Sequence, residues 1–315
     1  MIRIVLSRIV AVIPVLLGIA IVAFFLVRLI PGDTVNVLMG QDFADPELEA
    51  QLRHFFGLDQ SLGVQFRDWF VNLLQGDLGT SMRSGEPVTQ EVISRFPVTL
   101  ELSVAALAIS LVVSIPVGIF AARNRNRGVD GAARVVSLLG LSLPNFWLGI
   151  LLIWLFAVLL GVLPSSGYSD FAFTWEHFRF LVLPAVTLGL SLAAVTMRMT
   201  RSSMLEVLGQ DYIRTARAKG LTEGAVVVRH GLRNALIPVV TVVGIQVGSL
   251  LGGTVVIEQV FSWPGLGSQL VSSIQDRDYP MVQGLTVFLA FFFVVVSLVV
   301  DIGYRYLDPR VRRHG

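Results

Sequence analysis

The chain has 315 residues, of which 54% are hydrophobic and 15% charged, with a formal net charge of +2 and a mean hydropathy of +0.74. Globular domains carry about 25% charged residues; here the charges cluster between apolar runs long enough to cross a hydrocarbon core, which excludes an ordinary soluble fold. The absence of cysteine excludes a disulfide framework, a Cys-ligated zinc site and a thiol nucleophile.

The first span is expected at about 8–29, built on an apolar run from Ile9 to Val27. Arg3 and Arg8 precede it as in a signal peptide, but it is longer than a signal core. Arg28 and Pro31-Gly32 follow it instead of a small-residue cleavage site, so it is expected to be a retained span. Region 31–97 carries ten acidic residues against Arg53, Arg67, Arg83 and Arg95. Asp45 is placed to cap a helix starting at Pro46, with Leu48, Leu52 and Phe55 on one face. A second amphipathic helix carries Phe66, Trp69, Phe70 and Leu73 and closes at Gly76. Both are expected to fold over the outer ends of the spans, as a structural cap, as a docking surface for an outside partner, or as both.

Five further spans are expected at 98–121, 133–160, 181–198, 236–257 and 282–303. Pro14 in the first span and Pro116 and Pro144 in these fall where neighbouring helices satisfy the freed backbone groups. Segments 1–8, 122–134, 198–235 and 304–315 hold 17 of the 24 basic residues and share one side of a six-span chain. The positive-inside rule makes that side cytoplasmic, with both termini inside. The expected fold class is all-α integral membrane with six transmembrane helices.

In 122–235 the basic stretch "QDYIRTARAKGL" (210–221) stands out. Asp211 suits an N-cap and Gly220 a C-cap, so 212–219 is expected to be a two-turn helix, with Arg217 and Lys219 complementing its dipole. Thr222 suits the cap of a following helix from Glu223. The segment fits plain positive-inside charge, an anionic-lipid patch, a nucleic-acid contact, or a knob seated in a soluble partner's groove. Tyr212, Ile213, Ala216 and Ala218 interrupt the charges, and small residues at 215, 216 and 218 permit close approach, which favours the knob; nothing else supports nucleic acid. Lys219 is the sole lysine and Gly220 follows it, so the chain has no phosphate-binding Gly-Lys-Ser/Thr loop. Any ATP-driven work needs another subunit.

In the fifth span Gly244, Gly248 and Gly252 recur every four residues, with Thr241 one turn earlier. Such a stripe permits close helix contact, either within the chain or against a partner or moving gate. Gln246 and Ser249 lie off the stripe and are expected to face an aqueous path, with Asn145 and Glu101 as further candidates. In the outer loop 258–281, Glu258, Trp263, Asp276, Arg277 and Asp278 form either an anchored linker or a contact for an external binding protein. His54, His177, His230 and His314 are too dispersed for a metal site, and none is expected. A membrane-embedded enzyme would need a catalytic pair at membrane depth, and Asp301 stands alone. A single-chain channel or secondary transporter typically buries charge mid-membrane, a pattern missing here.

The loop "DYIRTARAKGLTEGAVVVRHGLRNALIPVVT" resembles the coupling ("EAA") loop of permease subunits of binding-protein-dependent ABC importers. More narrowly, "LIPGDTVNVLMG", "FFGLDQSLGVQF", "LLQGDLGTSMRSGEPV", "RFPVTLELS", "SLPNFWLGILL", "EQVFSWPGLGSQLVSSIQDRDYPMVQG" and "YLDPRVR" resemble the dipeptide/oligopeptide/nickel branch, in that family's order. Alignment on Gly220 puts Arg214 at the usual Glu, then Thr215 and Ala216 at the two Ala positions, so an acidic contact does not carry over.

The resemblance implies a type I ABC importer (MetI-like) transmembrane domain with an extracytoplasmic helical insertion after the first span. It divides the chain into 1–97, first helix plus outer helical region, and 98–315, a core of five helices with a coupling loop at about 199–235. It implies a second homologous permease subunit, two ABC ATPase subunits that bind ATP and Mg, an extracytoplasmic substrate-binding protein, and membrane lipid as surroundings. No cofactor is implied in this chain, which performs no bond chemistry. The implied location is the cytoplasmic (inner) membrane of a bacterium or archaeon. Asp211, Tyr212, Arg214, Thr215, Ala216, Arg217, Lys219 and Gly220 become the ATPase-coupling residues. The implied cargo is a di- or oligopeptide, with glutathione and nickel or metal chelates as alternatives.

Overall fold

The computed structural model describes residues 2–29, 32–39, 46–170, 172 and 174–307, with backbone alone at 2–9, 251, 301, 302 and 304–307. Asp45 and the tail from 308 onward lie outside the described residues, as do the side-chain surroundings of Asp301. Regular structure among the described residues is helical, apart from one antiparallel bridge between Thr80 and Pro87.

In chain order the helices are α1 (Ile2–Arg28), α2 (Thr34–Met39), α3 (Pro46–Phe55), α4 (Leu62–Leu74), α5 (Val88–Arg123), α6 (Gly128–Ser142), α7 (Asn145–Leu152, continued by a π-helical stretch Ile153–Leu159), α8 (Trp175–Leu208), α9 (Asp211–Ala218), α10 (Glu223–Ala225, continued by a π-helical stretch Val226–Leu232), α11 (Arg233–Phe261), α12 (Leu266–Gln275) and α13 (Tyr279–Leu307). Five helices are long and apolar enough to cross a membrane, or six if the bent pair α6 and α7 counts as one span. The chain is thus an all-helical integral membrane protein.

The span expected to be continuous over 133–160 is instead broken by 108° between α6 and α7. The cause is Pro144. Its ring disfavours the α conformation at the preceding residue, and Leu143 is extended at φ −83°, ψ 130°. Pro14, Pro184 and Pro238, by contrast, sit inside continuous helices.

The chain forms two compact units, residues 1–99 with 264–295 and residues 100–263 with 296–315. In the first, Val88, Val92, Leu266, Met281 and Leu285 form a buried cluster. Phe24 of α1 packs against Phe66 and Trp69 of α4, with ring centroids 5.1 and 5.4 Å apart. Arg28 lies 3.6 Å over the Phe24 ring and donates to Gln65 Oε1 at 2.9 Å. Gly76 takes φ +82° just after α4, as the expected helix stop requires. On the apolar face expected of α3, Leu52 is half-buried, while Leu48 and Phe55 are 46% and 81% exposed.

In the second unit α8 is central, packed by α6, α7 and α11. Glycines bring its backbone close to its neighbours. A Cβ on Gly118 of α5 would lie 2.9 Å from the Met197 carbonyl oxygen and 2.7 Å from Thr200 Cβ. On Gly189 of α8 it would lie 2.8 Å from the Ala106 carbonyl oxygen. Thr187, Thr196 and Thr200 turn their hydroxyls onto carbonyls one turn back, at 2.7, 3.2 and 2.8 Å, so they add no unsatisfied donors to the seam.

Gly118→Val and Gly189→Leu should therefore each cost about 1–3 kcal/mol by overpacking, read as earlier thermal unfolding in detergent. Gly252→Ala, with nothing within 4 Å of the added Cβ, should leave the midpoint unchanged.

Candidate functional site

Helix α9 is the expected basic helix, shifted by one residue. Gln210 occupies the N-cap position at φ −74°, ψ 150°, and Asp211 is the first helical residue. The Asp211 side chain accepts from Arg214 Nη1 at 3.3 Å, and its carbonyl accepts from the Thr215 hydroxyl at 3.0 Å. Asp211 thus supports the first turn from inside instead of capping it. Lys219 is the C-cap, and Gly220 at φ +80° ends the helix in the left-handed region. Thr222 does occupy the N-cap position of α10, without a side-chain capping bond.

The two faces of α9 differ. Ile213 is fully buried and Ala216 nearly so, clustered with Val226 and Leu208. Ala216 therefore seats α9 on its own chain and does not present a small surface to a partner, as the sequence suggested. Asp211, Tyr212, Arg214, Thr215, Arg217, Ala218 and Lys219 are exposed. Within that face Arg217 donates to Glu223 at 2.7 and 3.4 Å, and the Tyr212 hydroxyl accepts from Asn234 Nδ2 at 2.8 Å. Among the described residues Lys219 has no ion pair. The face thus offers one uncommitted cation, two cations held by carboxylates, and an aromatic ring.

The path candidates on α11 divide. Gln246 is buried: its Nε2 donates to the Leu192 carbonyl at 2.9 Å and its Oε1 accepts from Thr196 at 2.9 Å. It locks α11 to α8 within the chain, contrary to the expectation that it faces a path, because both ends of the amide are satisfied there. Ser249 is exposed and donates to the Gln246 carbonyl at 2.9 Å. Gly244 meets Val300 of α13, whose Cγ1 stands where a Cβ would be, so this end of the stripe packs within the chain. Gly248 is buried and Gly252 exposed. Asn145 is half-buried at the first residue of α7, on the bend.

The outer loop also departs from expectation. Glu258 and Trp263 are both fully buried, so neither forms a docking surface. Ser262 takes φ +53° at the end of α11, and the Trp263 amide donates back to the Glu258 carbonyl at 2.8 Å. This turn folds the indole inward against Tyr168, with ring centroids 4.8 Å apart. Asp278 is buried too: it accepts from the Ser81 hydroxyl, the Met82 amide at 3.2 Å and the Met281 amide at 3.3 Å, tying 81–82 to the start of α13. Asp276, paired with Arg83, and Arg277, at φ +57°, keep partial exposure. Asp276 lines a polar pocket of about 310 Å³ whose walls include Arg83, Glu91, Arg95 and Gln269.

Two buried polar pairs were not singled out from sequence. Asp130 of α6 is fully buried and takes Arg201 of α8 through bonds of 2.5 and 3.0 Å. Its signal was available: Asp130 is the only acidic residue between Glu101 and Asp170, set among arginines. His177 bonds Glu101 through Nε2, while its Nδ1 lies 2.9 Å from the Ser169 carbonyl. Glu101 is thus joined to α8 and is not a free charge at the interface.

This fold is shared with transmembrane chains of ABC importers. A chain of the inward-facing MetNI methionine ABC transporter matches with a TM-score of 0.56 at 22% identity, over 70% of this chain and 97% of that one. A chain of an amino acid ABC transporter crystallised with histidines matches at 0.52 and 15% identity, over 69% and 94%. Sequence goes further. Residues 114–313 match the binding-protein-dependent transport system inner membrane component, and residues 1–103 match the N-terminal model of the same membrane components. The chain belongs to this family. It is 45% identical over 312 residues to the glutathione transport system permease protein GsiC of Salmonella typhimurium (strain LT2), covering 99% of both chains. It is 44% identical over 336 residues to the dipeptide transport system permease protein DppB of Escherichia coli (strain K12), again covering 99% of both. It is 45% identical over 321 residues to the di/tripeptide transport system permease protein DppB of Pseudomonas aeruginosa (strain UCBPP-PA14), covering 95% of this chain and 96% of the relative.

Two outcomes test the site geometry. Ile213→Ala should cost about 2–5 kcal/mol locally, seen as faster amide exchange across 211–218. In this cysteine-free chain, Ser249→Cys should react with a small thiol reagent in the folded protein, whereas Gln246→Cys should react after denaturation alone.

Proposed function

We propose that the chain is one permease subunit of an ATP-driven importer of di- and oligopeptides, forming half of the translocation path with a second homologous subunit. The observation that carries the reading is α9: a short helix seated on buried Ile213 and Ala216, with a charged face turned outward. Such a helix is rigidly joined to its own bundle and can be pushed from outside. In this reading it sits in a groove of a cytoplasmic ATPase subunit, and two such subunits bind and hydrolyse ATP with Mg. The direct contacts come from Tyr212, Arg214, Thr215, Arg217 and Lys219, while Asp211 and Gly220 set the helix ends. Membership of a binding-protein-dependent family supports delivery of cargo by an external binding protein. On that side Asp276, at the polar pocket, and Arg277 next to it in the chain are the docking residues.

The basic loops and both termini then face the cytoplasm, following the positive-inside rule. The near full-length likeness to dipeptide and di/tripeptide permeases supports peptide cargo. A second reading, glutathione, is favoured by the equal likeness to a glutathione permease; as a tripeptide it falls in the same chemical class. Ser249 and Gly252, exposed on α11, are the path or seam residues, and Asn145 at the α6–α7 bend is a hinge position.

The test is uptake by the full complex in proteoliposomes. Lys219→Glu should lower peptide uptake by roughly tenfold, the effect of losing about 1.4 kcal/mol of contact, with membrane abundance unchanged. Wild-type uptake in that variant would remove Lys219 from the contact. Uptake that persists without ATP but with a membrane potential would overturn the importer reading. Labelled dialanine and glutathione, each competed by the other, decide the cargo.

A further inference from the structure

At the end of α8 from which the chain runs into α9, a pocket of about 210 Å³ opens between α6 and α8. Its walls are Ala133, Arg134, Ser137 and Leu138 of α6 and Met197, Arg198 and Arg201 of α8. The charge there is unbalanced, because three guanidinium groups line the pocket and one carboxylate, Asp130, answers two of them. Asp130 is fully buried, takes two bonds from Arg201, lies 3.3 Å from Arg134 and also accepts the Asn126 amide at 3.0 Å. Both of its oxygens are therefore engaged. Arg134 still has 55% of its side chain exposed. Arg198 is exposed and has no ion pair among the described residues. Two positive charges thus remain at the mouth.

The floor is largely apolar: Ala133 and Met197 are buried together with Ala121, and the buried Ser137 hydroxyl is spent on the Ala133 carbonyl. The wall on α6 is apolar and open at Leu138, which is 59% exposed. A free inorganic anion would satisfy the arginines but leave the Leu138 wall uncovered. A lipid with an anionic headgroup answers both at once, its phosphate on the guanidiniums and its acyl chain along α6. Basic pockets between membrane helices suit such headgroups, and arginine forks bind phosphate through paired hydrogen bonds.

We propose that this pocket is a binding site for an anionic phospholipid, its headgroup phosphate held by Arg134 and Arg198 with Arg201 fixed behind them by Asp130. The site bridges α6 and α8 at the membrane face nearest α9. It does not depend on which cargo the transporter carries.

The test uses the assembled transporter in detergent, with phosphatidylglycerol, phosphatidylcholine or inorganic phosphate added, and reads retained lipid by native mass spectrometry alongside thermal stability. Phosphatidylglycerol should be retained and stabilising. Arg198→Gln should weaken retention by roughly fivefold, and the Arg134→Gln, Arg198→Gln pair by about 25-fold, from about 1 kcal/mol per arginine. Equal retention of phosphatidylcholine would overturn the proposal, leaving a plain apolar groove. So would full protection by inorganic phosphate, or wild-type phosphatidylglycerol retention in the pair. Arg134 touches Asp130, so Arg198→Gln alone decides the matter if the double variant fails to assemble.

Discussion

The close approach of backbones around α8 is the constraint on which the second unit depends. In hydrocarbon there is little hydrophobic drive to bring helices together, so association rests on van der Waals contact and on satisfied polar groups. Gly118, Gly140 and Gly189 supply the contact by leaving no side chain where a neighbour's backbone or Cβ must pass. Gln246 and Asp130 supply the polar links, one to the Leu192 carbonyl and Thr196, the other to Arg201. Each link is fully satisfied, which matters because removing one partner of a buried pair leaves the other uncompensated.

From that frame α9 follows. Helix α8 runs to Leu208 and turns within two residues into Asp211, so the short helix begins where the most buried long helix ends. Ile213 and Ala216, three residues apart, put one face of α9 on the bundle and leave the charged face outward. A two-turn helix alone is unstable in water. This one is held by its seat and by its ends.

Six apolar runs, the outer helices and the basic helix were legible in the sequence because each is governed by local chemistry: span length, cap residues, arginine placement and 3.6-residue periodicity. The near full-length likeness to a peptide-permease branch was also legible, because its motifs recur in order from the first span to the tail. What was misread came from residues whose chemistry suits two environments. Trp263 fits an interfacial anchor as well as a buried ring, and it became the latter because Ser262 turns left-handed at the end of α11. Gln246 fits an aqueous wall as well as an interhelical link, and the Leu192 carbonyl decided between them. Ala216 fits a contact surface as well as a seat, and Val226 decided that.

Composition and pattern by themselves settled that the chain lives in a membrane, where its short basic helix lies and that it lacks a phosphate-binding loop of its own. These properties depend on residues near one another in sequence. Tertiary structure alone decided the inward turn of Trp263, the sharing of Asp130 between two arginines and which face of α9 remains free. Each of these depends on a partner tens of residues away, or on the angle at which two helices meet. Both are set by packing, and periodicity along one helix carries no information about the helix opposite.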